Sequence, residues 1–165
     1  MKKLLFLAAA VVTGMAAMAQ PKATEVIKPD VTSYSFGKIK QNVPVVVYFT
    51  VKNISDKPAS IENAWAGCGC TTPEYNKEPI PAGGEAKIKV GYNAASMGEF
   101  TKDVYIKLAG VGEPLSVKIT GQVVDAPTYD AYTQTSEFKK NEKVRLAKLA
   151  KDEKAFNARK SGSSK

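Results

Sequence analysis

Apolar and polar residues alternate between residues 31 and 124, in short runs that turn-forming residues separate. The alternating apolar positions are Val45, Val47, Phe49 and Val51 in one run, Ala86, Ile88, Val90 and Tyr92 in a second, Val104, Ile106 and Leu108 in a third, and Leu115, Val117 and Ile119 in a fourth. A period of two residues places such positions on one face of a strand and the intervening residues on the other. Each run is therefore predicted to be a half-buried β-strand.

Further strands are expected at residues 34–36 and 59–65, which brings the total to about six or seven. The breaks between strands are polar or rich in Pro and Gly, as at residues 53–58 and 79–84. Short strands with regular breaks and no helical periodicity between them predict an all-β fold, an antiparallel β-sandwich, with a closed barrel of similar strand number as the alternative. A parallel α/β sheet is disfavoured because no helix-length pattern interrupts the strands.

The last forty residues have a different pattern, which follows a break at residues 125–128. No Gly or Pro occurs between residues 136 and 160, and Ala, Lys, Glu, Leu and Arg dominate. At 100° per residue, Phe138, Leu149 and Phe156 fall within about 20° of one another, which predicts one sparse apolar stripe. We expect a helix over residues 137–159 with Ser136 as its N-cap, loosely packed on the sandwich and followed by a disordered end.

The first residues have the pattern of a secretory signal peptide. Lys2 and Lys3 precede a short apolar run at residues 4–12, and Ala17 and Ala19 form a small-x-small cleavage pattern. An uncleaved membrane anchor is the alternative, but the apolar run is much shorter than a membrane span requires. We therefore expect a signal peptide at residues 1–19, a lead-in at 20–30, the sandwich at 31–126 and a basic helical tail at 127–165, in a protein that is periplasmic or secreted after cleavage near Ala19.

Charge and composition exclude several classes of function. The formal net charge is +8, but residues 128–165 hold ten Lys/Arg and five Asp/Glu, whereas residues 20–127 hold twelve and eleven. The sandwich is therefore nearly neutral, and no nucleic-acid partner is expected. The chain has no histidine, so a Ser-His or Cys-His catalytic pair cannot form. No catalytic residues and no cofactor are expected.

The two cysteines of the chain, Cys68 and Cys70, are separated only by Gly69. In a regular strand their Cα atoms would be about 6.6 Å apart, near the upper limit for a disulfide, but a positive φ at Gly69 would bring the sulfurs together. Four hypotheses remain open: a disulfide with a local conformational role, a labile redox pair, a Cu(I) or zinc site, and two small residues packed in a tight turn. Export favours the disulfide.

Four motifs connect the sequence to a known family. GCGCTTP at residues 67–73 is followed by PIPAGGE at residues 79–85 and IKVGYN at residues 88–93, and FGKI at residues 36–39 precedes a strand. Together they resemble the bacterial family called domain of unknown function fifteen-seventy-three, over residues 31–124. The resemblance implies an immunoglobulin-like sandwich of about seven strands, similar to domains of the major sperm protein and Hydin type. It implies export but no established activity.

The sequence thus predicts an exported, non-catalytic binding or structural module of the cell envelope, whose distinctive site is the Cys-Gly-Cys loop. The candidate binding residues are Gly67, Gly69, Thr71, Thr72, Pro73 and Glu74, together with a turn that contains Pro81, Gly83 and Gly84. The alternative is a periplasmic protein that handles thiol redox or metal ions through Cys68 and Cys70. Trp65 is expected in the core.

The expected partner is another envelope protein, and no membrane span is expected. The basic tail at residues 137–160 has two possible roles. It could be a solvated helix without specific contacts, or it could dock on an anionic surface, a partner helix or a second copy of the chain.

Overall fold

The computed structural model describes residues 21–162. The predicted signal peptide and residues 163–165 lie outside the described part of the chain.

Within that part, eight strands form two four-stranded sheets that pack face to face. The strands are β1 Ile27–Pro29, β2 Ser33–Lys40, β3 Val45–Asn53, β4 Ile61–Ala66, β5 Thr71–Tyr75, β6 Glu85–Tyr92, β7 Gly98–Leu108 and β8 Leu115–Val124. One sheet has the order β1-β3-β6-β5, and the other has the order β2-β8-β7-β4. The two separate sheets confirm the sandwich against the barrel.

The number of strands and their directions differ from the expectation in two ways. The structure has eight strands where six or seven were expected, because two of them were not predicted. β5 covers the candidate binding residues Thr71 to Glu74, and β1 is only three residues long and lies in the expected lead-in, after a short helix, α1 Ala23–Val26. A run of three residues is too short to show alternation. In addition, β2 pairs with β8 in parallel, whereas the other strand pairs are antiparallel.

The core lies between the sheets and contains the alternating positions that the sequence indicates. Phe49, Ile88 and Ile106 are fully buried, and they are contributed by strands of both sheets. Burial of such side chains stabilises the fold by about 1.5–3 kcal/mol each. The pattern of period two therefore predicted the inner face of both sheets correctly.

A bulge interrupts β2 in its middle. The pairing register with β8 shifts between Ser35 and Lys38, and Gly37 has a φ of +67°. Because glycine alone adopts this conformation without a Cβ penalty, the bulge depends on it. Beyond the bulge the inward side chain is Ile39, which is buried.

Two helices follow the sandwich. The first, α2, is Ala126–Thr133, and the Asp125 carboxylate accepts a hydrogen bond of 3.0 Å from the Thr128 amide at its start. The second, α3, is Ser136–Gly162, slightly longer at both ends than expected. Its first turn is capped by Thr135, whose Oγ1 accepts a bond of 3.2 Å from the Phe138 amide. The predicted N-cap, Ser136, is instead the first residue of the helix.

The C-terminal half of α3 packs more closely on the outer face of the first sheet than its sparse stripe suggested. Phe156 is buried against Tyr48, with ring centroids 5.7 Å apart. One turn earlier, the buried Asp152 carboxylate forms an ion pair of 2.8 Å with Lys87 of β6. The guanidinium of Arg159 donates to the carbonyl of Glu85. None of the described helices is both long enough and apolar enough to cross a membrane.

Candidate functional site

The Cys-Gly-Cys loop connects β4 of one sheet with β5 of the other. The Cys68 and Cys70 sulfurs lie at disulfide-bonding distance, and their Cα atoms are 5.3 Å apart. This Cα separation is shorter than the two rises of a regular strand and lies within the ordinary disulfide range. The loop therefore turns tightly enough to close a ring of three residues.

The ring closes without the backbone conformation that we expected at its centre. Gly69 is not among the residues with positive φ. A Cβ added at Gly67 or at Gly69 would meet no atom within 4 Å. The bend is therefore distributed over the loop, and both glycines face open space.

Hydrogen bonds hold the ring against the end of the sandwich. The Thr71 amide donates to the Cys68 carbonyl at 3.3 Å, and the Asn93 amide donates to the Cys70 carbonyl at 3.0 Å. The hydroxyl of the buried Thr71 lies 3.9 Å from each sulfur. Both cysteines remain partly exposed. The ring is thus a fixed surface feature that a partner can reach.

Trp65 lies on the surface and not in the core, so the expectation for this residue was wrong. Its side chain is 38% exposed and stacks on Tyr105 at 5.5 Å between ring centroids. The cause is an irregularity in β4 between Ile61 and Asn63. A one-residue shift moves the following side chains to opposite faces. The half-buried Ala64 and Ala66 therefore take the inward positions.

The turn that contains Pro81, Gly83 and Gly84 was predicted to belong to the site, but it lies far from the Cys-Gly-Cys loop. Thr71 is paired with Tyr92 at the end of β6, whereas Gly84 immediately precedes Glu85 at its beginning. The eight residues of β6 span about 24 Å at the usual strand rise. Gly83, with a φ of +71°, forms a turn with Pro81 and Gly84 at that distant end. The structure therefore does not bring this turn and the Cys-Gly-Cys loop, called the cystine loop below, together.

Beside the loop, the exposed residues of β5 offer little for a metal ion. The Glu74 carboxylate forms a hydrogen bond of 2.7 Å with Lys89, which raises the pKa of that lysine. Thr72 is exposed and Pro73 is half-buried on the same edge strand. Over residues 21–162, no group of three or more His, Cys, Asp or Glu side chains could hold a metal ion.

A large cavity lies on the other side of the sandwich, and no pattern in the sequence indicates it. It is an open cavity of about 540 Å³ between β2, β3, α2 and α3. Its walls include the Glu142 carboxylate, which accepts two bonds of 2.6 Å from Arg145. This interaction lowers the pKa of Glu142. The cavity is formed by residues that are distant in sequence, which explains why no local pattern indicated it.

The two sheets have the strand orders β1-β3-β6-β5 and β2-β8-β7-β4, and β2 and β8 are parallel. This arrangement defines an immunoglobulin-like β-sandwich protein with a helical extension. The chain belongs to the family described as protein of unknown function DUF1573, which it matches over residues 27–123. The family expected from the cysteine motif is thereby confirmed. A comparison with curated proteins finds no match to this chain.

Solved structures support the fold. A protein of unknown function from Porphyromonas gingivalis W83 superposes with a TM-score of 0.50 at 12% identity, over 59% of this chain and 46% of that one. The ASH/PapD-like domain 7 of human CEP192 has a TM-score of 0.50 at 10% identity, over 74% of this chain and 99% of that domain. This chain therefore spans about half the length of the Porphyromonas protein, and the likeness concerns the fold alone.

Proposed function

We propose that the protein is an exported, non-catalytic binding module of the cell envelope, and that it holds a partner protein against the face formed by the Cys68–Cys70 ring, Trp65 and Tyr105. The observation that carries this proposal is the stack of the exposed Trp65 on the half-buried Tyr105, with Trp65 only three residues from a ring fixed by hydrogen bonds. Exposed Trp and Tyr on a rigid surface are the residues that most often dominate protein interfaces.

The chemistry of this face supports binding more than catalysis. The chain has no histidine, and Glu74 is already paired with Lys89. A reacting atom near the ring would therefore find neither the commonest general base nor an unpaired Glu74 beside it. What the face offers is a flat aromatic surface, a compact loop and the free edge of β5.

A thiol redox function remains the second candidate, and one observation favours it. Both cysteines are partly exposed and lie at an end of the sandwich, where another thiol could approach the ring. Disulfide exchange requires such access. A redox function would require the disulfide ring itself, whereas partner binding by a binding module would depend mainly on Trp65 and Tyr105.

Site-specific photo-crosslinking in the native cell tests the proposal. A photoreactive phenylalanine analogue is placed at Gly69 and, in a second variant, at Tyr105, where it keeps an aromatic ring beside Trp65. Lys28 on the short strand β1 serves as the control position. We expect both site variants to crosslink to the same envelope protein, and we expect the Gly69 adduct to disappear with Trp65→Ala. Adducts of equal yield from Lys28, or adducts to unrelated proteins, would contradict the proposal.

The double variant Cys68→Ser, Cys70→Ser separates the two candidates. A binding module keeps the Tyr105 adduct, because the aromatic surface is unchanged. A redox protein loses it, and alkylation of the native protein before lysis then shows interconversion of free and bonded thiols. Cell fractionation of the same samples tests export directly.

A further inference from the structure

The cavity of about 540 Å³ lies between two sheet edges, on the side of the sandwich opposite the cystine loop. Its inner wall is apolar and comes from both sheets. The residues are Tyr34, Phe36 and Ile39 of β2 and Val45 and Val47 of β3. Tyr34, Phe36 and Val45 are only half-buried. The interior of the sandwich is therefore incompletely closed on this side.

The edge of β3 that faces this side has no strand partner along most of its length. Among the described residues, β1 pairs only with Val51 to Asn53, and the Asp30 amide then donates to the Thr50 carbonyl at 2.8 Å. Main-chain groups that point to one side of an antiparallel strand recur at every second residue. Val46 and Tyr48 therefore direct their N–H and C=O groups to the same side as Thr50, beyond the end of β1.

The facing edge of β2 is also unpaired, since β2 pairs with β8 alone in the described part of the chain. The cavity is thus flanked by two strand edges, and neither is covered by a neighbouring strand. Unpaired strand edges are templates for the addition of another strand. A compact small molecule would leave the repeating main-chain groups of β3 unmatched, whereas an extended chain would satisfy them.

Helix α3 spans the cavity as a bridge that is fixed at both ends. Phe138 packs against Tyr132 of α2 at 5.1 Å between ring centroids, and Phe156 packs against Tyr48 at 5.7 Å. Between these anchors, Glu142, Arg145 and Leu149 line the outer wall. The helix therefore leaves space beneath its middle.

The charges at the cavity favour an acidic occupant. Arg145 is paired with Glu142, and Lys40 with Asp130. Among the described lining residues, the cations without an ion pair are Lys38 and Lys148 and the carboxylate without one is Glu137, so one positive charge is in excess. A charge of opposite sign on the occupant would complement this excess.

From this arrangement we infer that the cleft between β2 and β3 takes up an extended segment of a partner protein. The segment has apolar residues at alternate positions and acidic residues at its ends, and it pairs its main chain with Val46 and Tyr48. This is a second binding surface, independent of the face that carries Trp65.

The test uses the mature full-length protein and a displayed library of eight-residue peptides with Val, Ile or Phe at alternate positions and Asp or Glu at both ends. Selected peptides are synthesised, and their affinities are measured by fluorescence anisotropy. We expect saturable binding, with amide shifts at Val46 and Tyr48. N-methylation of the alternate amides that face β3 should weaken binding by at least about tenfold, because it removes hydrogen bonds and keeps the side chains.

The variant Val46→Trp should abolish binding by filling the cavity, while the control Lys28→Trp on β1 should leave it unchanged. If Val46→Trp does not fold, the N-methylated peptides still decide the question. Equal affinity of methylated and unmethylated peptides would overturn the inference, as would a library without binders or shifts confined to another surface. Dimerisation of the protein with protection of Val46 would also overturn it, because a second copy would then be the occupant.

Discussion

Asn53 is a fully buried polar residue whose side chain satisfies the backbone of two loops. Its amide nitrogen donates to the carbonyls of Lys57 at 2.7 Å and Ile80 at 2.8 Å, and its oxygen accepts from the amide and hydroxyl of Ser55. The variant Asn53→Ala would remove all four of these hydrogen bonds, and the Ile80 and Lys57 carbonyls would each keep one other donor, the Ala59 amide and the Ser55 hydroxyl. We expect it to lower the free energy of unfolding by about 2–4 kcal/mol in urea titrations. The exposed Asn93, which makes one such bond of 3.2 Å to Ala95, is the control, and a similar loss for Asn93→Ala would contradict the explanation.

Two glycines in the predicted site differ in their conformational requirement. Gly83 has a φ of +71°, whereas Gly69 has no positive φ and open space around it. We expect Gly83→Ala to cost about 1–2 kcal/mol of stability, because a Cβ is strained in that conformation. We expect Gly69→Ala to change stability by less than about 0.5 kcal/mol and to leave the disulfide intact in mass spectrometry. A reversed order of the two effects would show that the loop strain lies at Gly69.

At the scale of elements, the attachment of α3 depends on the ion pair between Asp152 and Lys87. Their side chains are 9% and 19% exposed, and their charged atoms are 2.8 Å apart. Asp152→Asn leaves the Lys87 charge uncompensated against the sheet, so we expect a loss of about 1–3 kcal/mol. The adjacent exposed Glu153, changed to Gln, removes the same charge and serves as the matched control. Faster amide exchange confined to α3 in the Asp152 variant alone would support this assignment.

The N-terminal half of α3 should respond to acid through Glu142. Hydrogen bonds from Arg145 hold the pKa of this carboxyl below its ordinary value of 4.5. A carboxyl with a lowered folded pKa contributes stability that is present above its unfolded pKa and is lost as the pH falls through the folded value. We therefore expect the ion pair between Glu142 and Arg145 to weaken below about pH 4.5.

The measurement for this expectation is amide exchange of α3 between pH 6 and pH 3. The variant Glu142→Gln lacks the ion pair with Arg145 at both pH values. The amide exchange of α3 should therefore depend less on pH in this variant than in the native protein. An unchanged pH dependence in the variant would show that Glu142 does not control the helix.

At the scale of the whole molecule, stability resides in the core between the sheets and not in the cystine ring. A ring of three residues restricts the unfolded chain very little, and the chain-entropy relation gives about 1.6 kcal/mol. We expect the double variant Cys68→Ser, Cys70→Ser to fold, with a loss of no more than about 2 kcal/mol in urea titrations. A loss of cooperative folding would show that the ring organises the sandwich.

The sequence by itself determined the strands of an all-β fold, their buried face and the helical tail, because each follows from a local period of two or of 3.6 residues. It also located the cysteine ring, since three adjacent residues form it. Tertiary structure alone decided the surface position of Trp65, which depends on an irregularity in β4, and the distance between the ring and the Gly83 turn, which depends on the register of β6. The pairing of Asp152 with Lys87 and the cleft beneath α3 were likewise decided by tertiary structure. Both bring together residues far apart in the chain, and such contacts leave no local pattern in the sequence.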